Sequence, residues 1–119
     1  MKEEFKTPYE HKLVHNYCKC EPAVGQPKRI IVVDLPSESV TVLLQHFGYD
    51  LWTYGYVIHF ADGREAIRSP SLEYGYCVTE TDAVLHFLGL CLSFRTCFSD
   101  AAVDAIKSKA LSTSQLSLW

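Results

Sequence analysis

Hydrophobic and polar positions along this chain follow two different periods, and the changes of period mark out its elements. Arg29-Ile30-Ile31-Val32-Val33-Asp34 is β-branched and apolar without alternation, which predicts a strand covered on both faces. After Pro36-Ser37-Glu38-Ser39, the residues Val40, Leu43, Leu44 and Phe47 fall at i, i+3, i+4 and i+7. That spacing is one face of a helix, with Gly48 placed to end it. From Trp52 to Phe60 the period changes to two, putting Trp52, Tyr54, Tyr56, Ile58 and Phe60 on one face of a strand. Asp62-Gly63 suits a two-residue type I′ turn, from which Arg64–Arg68 returns antiparallel with Ile58 opposite Ile67.

Beyond Ser69-Pro70-Ser71, which ends the sheet edge, Leu72–Val78 reads as an aromatic loop or short strand. Thr79-Glu80-Thr81-Asp82 resembles a capping box and opens a helix over Ala83–Phe94. Its stripe of Val84, Phe87, Leu88, Cys91 and Leu92 makes it the most buried helix. Ser99 caps a second helix from Asp100 to about Ala110, with Ala102, Val103, Ile106 and Ala110 inward. At the other end, Pro8 suits the first turn of a short helix over Tyr9–Tyr17, and Glu21–Pro27 reads as a connector. The expected architecture is an α+β domain, a small antiparallel or mixed sheet with a hairpin at 52–68 and helices on one side. Residues 1–111 form that domain, 1–24 being a loosely attached helix and connector, and 112–119 form an extended tail.

The tail carries the most specific signal. From Ala110 to the end no side chain is charged, and Leu111-Ser112-Thr113-Ser114 leads into Gln115-Leu116-Ser117-Leu118-Trp119. This string resembles the pentapeptide by which bacterial polymerases, repair factors and mobile-element proteins dock on the replicative sliding clamp, the β subunit of DNA polymerase III. The resemblance covers five residues of the 119. It implies that Gln115 fills the glutamine pocket, Leu116 is the spacer, Ser117 the small polar position and Leu118 the aliphatic anchor. Trp119 takes the aromatic place, where phenylalanine or leucine is usual.

Charge bears on how such a protein would reach DNA. Residues 1–29 hold six Lys/Arg against four Asp/Glu, and residues 30–119 hold five against ten, so the body is net negative. A net negative body is a poor binder of phosphate backbone by itself. DNA is therefore expected to be met only indirectly. With no apolar stretch behind the basic start, no run long enough to span a bilayer and an odd five cysteines, a reducing cytoplasm is the expected compartment.

Two other constellations compete with the tail. On a helix His11 and His15 are one turn apart, and Cys18 and Cys20 follow, supplying the N and S ligands zinc prefers. Four ligands within ten residues leave little chain to wrap a tetrahedron, so ordinary surface histidines and cysteines are the alternative. Similarly, the aromatic hairpin face suits stacking of single-stranded bases or simply a core; only Arg64 and Arg68 lie near it, which favours core. His59 and His86 read as structural histidines, Cys91 as an inert buried thiol, and nothing matches a catalytic spacing, a phosphate loop or a small-molecule site. The expectation is a non-enzymatic adaptor docking on a sliding clamp, carried by a phage or mobile element; the alternative is a zinc- or single-strand-binding module.

Overall fold

The computed structural model describes residues 23–48 and 51–116. The chain forms β1 (Ala23–Leu35), β2 (Glu38–Phe47), β3 (Leu51–His59), β4 (Glu65–Arg68), α1 (Glu80–Ser93) and α2 (Asp100–Leu116). The strands make an antiparallel meander in the order β1-β2-β3-β4, and both helices pack on one face of it. This is the expected α+β arrangement. The proposed N-terminal helix and the His11/His15/Cys18/Cys20 cluster lie outside the described residues.

The segment read as a helix over 36–47 is instead strand β2. Its apolar residues satisfy both periods, since Val40, Val42 and Leu44 also alternate, and these three are almost wholly buried. The β-branched run Val40-Thr41-Val42 tips the balance toward a strand, and Pro36-Ser37 becomes the tight turn between β1 and β2. β1 also departs from expectation. It lies at a sheet edge, and Ile31 on the open face is 63% exposed, whereas Val33 on the helix side is 1% exposed. It begins within the expected connector. Gly25-Gln26-Pro27 bulges opposite Gln45, Gly25 adopts φ 74, and Gln45 Nε2 donates to the Gly25 carbonyl at 3.1 Å.

The β3–β4 hairpin forms, but its loop has three residues. The Phe60 N–H donates to the Arg64 carbonyl at 2.8 Å, the Gly63 N–H donates to the Phe60 carbonyl at 2.9 Å, and Gly63 lies at φ 94. One extra loop residue slips the register by one, so Ile58 faces Ala66 and Val57 faces Ile67. Ile67 is thereby turned onto the open face, 64% exposed.

The core lies between the sheet and the helices. Thr79 caps α1 by accepting from the Asp82 N–H at 3.0 Å, and Ala83, Val84, Phe87, Leu88 and Cys91 descend onto Val42, Leu44, Tyr54 and Ile58. Phe87 meets Tyr54 edge-on at 5.4 Å and stacks on Tyr56 at 5.6 Å. Ala102 and Ile106 of α2, both fully buried, complete it. Lys28 pairs with Glu80, fastening β1 to the start of α1. After β4 the chain bends closely over Gly55, where a Cβ would lie 2.0 Å from the Arg68 carbonyl oxygen.

Candidate functional site

The clamp-like peptide begins on α2. Ser99 Oγ accepts from the Ala102 N–H at 3.2 Å, starting the helix where its sequence signal places it. The helix then runs six residues past Ala110, through Leu116, where an extended tail from Ser112 is expected. No Gly or Pro interrupts residues 100–116, so nothing halts the i to i+4 ladder that the buried Ile106 anchors. Gln115 and Leu116 thus belong to the final turn, while Ser117, Leu118 and Trp119 lie outside the described residues. Of the residues leading to them, Leu111 is 62% exposed and Ser112 is exposed, its Oγ donating to the Lys109 carbonyl at 3.1 Å, while Thr113 and Ser114 are half-buried.

The aromatic hairpin face is core. Tyr54 is 3% exposed and its hydroxyl lies 2.8 Å from His86 Nδ1, itself buried on α1. Burial pushes the Tyr54 phenol well above its ordinary pKa, with Arg68 partly opposing the shift. His59 sits on the surface with Nδ1 3.0 Å from Glu65 Oε2, and His46 stacks on Trp52 at 4.5 Å. Each of these three histidines therefore has a structural partner. Arg68 lies in a cage of rings, its guanidinium carbon 4.1 Å from the Tyr74 centroid and about 5 Å from those of Tyr54 and Tyr56. One of its nitrogens donates to the Tyr54 carbonyl at 3.1 Å. Among the described residues no group of three or more His, Cys, Asp or Glu is arranged to hold a metal ion, and no helix is long and apolar enough to cross a membrane.

A cavity of about 200 Å³ lies at one end of the helix–sheet interface. Tyr56, Ile58 and Ala66 form its floor, and Phe87, Leu90 and Cys91 of α1 form its roof. Phe60 and Phe98, whose rings are 5.4 Å apart, also line it. Phe94 and Cys97 are the exposed members of the lining and mark its mouth; Phe94 is 58% exposed. The small Ala66 of β4 and Cys97 of the short 3-10 turn Arg95–Cys97 both border the space. Burial pushes the Cys91 thiol up to about 12, so it stays protonated at neutral pH, as its place on the apolar stripe of α1 predicts. Sequence reasoning missed this cavity. Phe94, Cys97 and Phe98 follow the last turn of α1 without periodicity, and only the fold brings them to Ala66.

No protein-family model, curated protein or solved structure matches the chain.

Proposed function

We infer that this protein is a non-catalytic adaptor that docks on the bacterial replicative sliding clamp through Gln115-Leu116-Ser117-Leu118-Trp119. The observation that carries the reading is the resemblance of these five residues to the clamp-binding pentapeptide. Leu118 and Trp119 are the anchors expected to supply most of the binding energy, with Gln115 fixing register. The way α2 is held supports this role. Its first turns are pinned by Ser99, Ala102 and Ile106, and the stretch toward the peptide carries the exposed Leu111 and Ser112. Docking in an extended form unwinds the last turn of the helix. Ser112-Thr113-Ser114 keeps that cost small, because each is about 0.5 kcal/mol poorer than Ala as a helix former.

The protein would act in the cytoplasm, reaching DNA through the clamp, and its size fits cargo of a phage or mobile element. It either recruits its domain to replicating DNA or displaces another clamp client. The test is fluorescence anisotropy of a labelled peptide spanning residues 110–119 with purified clamp, together with the full chain. Saturable binding that a known clamp-binding peptide competes away supports the reading; absence of binding or of competition overturns it. The alternative is a zinc- or single-strand-binding module using His11, His15, Cys18 and Cys20 with the aromatic hairpin face; the burial of Tyr54 counts against the hairpin part of it. Stoichiometric zinc in protein purified without a histidine tag, with no clamp binding, would replace the adaptor reading by that one.

A further inference from the structure

We propose that the cavity between β3, β4 and the end of α1 is a binding site for a small, uncharged aromatic molecule of one substituted ring or an indole nucleus. Size sets the first limit. An apolar cavity of about 150 Å³ admits benzene, and this one holds about 200 Å³, so one ring with a small substituent fits and an extended chain or a multi-ring cofactor does not. The lining sets the second. Among the described residues no charged side chain contributes to the wall, and a carboxylate or ammonium placed there loses its hydration without gaining a partner from that lining.

The preference for a ring comes from the arrangement of the walls. Phe87 and Tyr56 already stack on each other, and Phe60 and Phe98 meet as a second pair. A further ring entering between these pairs meets faces and edges from several directions, the geometry in which aromatic contacts add to simple burial. The mouth fits the same reading. Phe94 stands 58% exposed directly after α1, where a ligand in the cavity would cover part of it. The cavity lies beside Phe98, just before α2, whereas Gln115 is in the last turn of that 17-residue helix. At 1.5 Å per residue the helix spans about 25 Å, so the peptide of the adaptor reading is remote from this site and the two proposals stand independently.

The test is titration of isotope-labelled full-length protein with indole, followed by amide NMR. Benzoate serves as a charged probe of similar size and decanoate as a long aliphatic one. Expected is saturable binding of indole, with shifts concentrated at Ile58, Ala66, Leu90 and Phe98, and at least roughly tenfold weaker binding of both other probes. Ala66→Phe fills the floor and Cys97→Phe blocks the mouth from an exposed position; each should weaken indole binding by roughly tenfold or more. Should Ala66→Phe fail to fold, Cys97→Phe still decides. No saturable indole binding, shifts scattered away from these residues, equal binding of benzoate, tighter binding of decanoate, or unchanged affinity in Cys97→Phe would each overturn the proposal.

Discussion

The buried carboxylate of Glu38, at the start of β2, holds Ser99, the residue 61 positions later that precedes α2: its two oxygens accept from the Ser99 hydroxyl at 2.6 Å and the Ser99 N–H at 3.0 Å. Glu38 is 3% exposed, so its charge is held away from water at the positive end of the α2 dipole. Hydrogen bonds to a charged group contribute about 1.5–3 kcal/mol. Glu38→Ala is expected to lower unfolding free energy by about 2–3 kcal/mol in urea titration. A loss below about 0.5 kcal/mol would mean that Ser99 alone secures the helix start.

Two glycines separate steric need from conformational need. At Gly55 a methyl group would lie 2.0 Å from the Arg68 carbonyl oxygen and 2.6 Å from the Pro70 nitrogen, both backbone atoms. At Gly63 the space is open and only φ 94 resists a side chain. Gly55→Ala should cost about 3 kcal/mol or more, or prevent folding, and Gly63→Ala about 1 kcal/mol. Thermal denaturation of the pair checks the order; equal effects would refute the close crossing over Gly55.

Alkaline pH should destabilise the fold. Burial holds the Cys91 and Cys77 thiols up to about 12, against an ordinary value of 9.0, with Asp82 adding to the shift at Cys77. Between those two values the unfolded chain releases protons that the folded chain keeps. Stability is therefore full below pH 9 and falls as pH rises toward 12. Replacing both cysteines by alanine should make this fall shallower, with the buried Tyr54 phenol, raised from 10.0, keeping the remainder above pH 10. The same burial means that at neutral pH an alkylating reagent should modify the exposed Cys97 in the native protein and reach Cys77 and Cys91 only on unfolding, as peptide mass mapping would show.

Trp119→Ala and Gln115→Ala are expected to leave the melting temperature within about 2 °C of the parent while abolishing capture by immobilised clamp. A large fall in melting temperature would place these side chains in the domain's own core.

Which parts of this structure could be read in advance depended on how many patterns each segment satisfies. The α1 cap was legible because Thr79 and Asp82 have one sensible local use. Trp52–Phe60 admitted only period two. Residues 40–47 satisfied both periods, and the face read for a helix led to the wrong element; the neighbours that make it a strand, β1 and β3, are not local information. The hairpin register turned on one loop residue at Asp62-Gly63, a difference that composition does not resolve. The clamp-like peptide is legible because it is a contiguous string. The cavity is not, because its floor and mouth come from residues about thirty to forty positions apart that meet only through the packing of α1.

The meander order has a consequence during synthesis. Every strand pairs with its sequence neighbour, so the sheet can close while later residues are still inside the ribosome. Until α1 emerges, Val42, Leu44, Tyr54 and Ile58 form a bare greasy plate, and a chain halted before Thr79 would be a substrate for chaperones or a seed for aggregates. Fragments ending near Pro70 should accumulate as insoluble material, whereas fragments reaching Ala110 should stay in the supernatant.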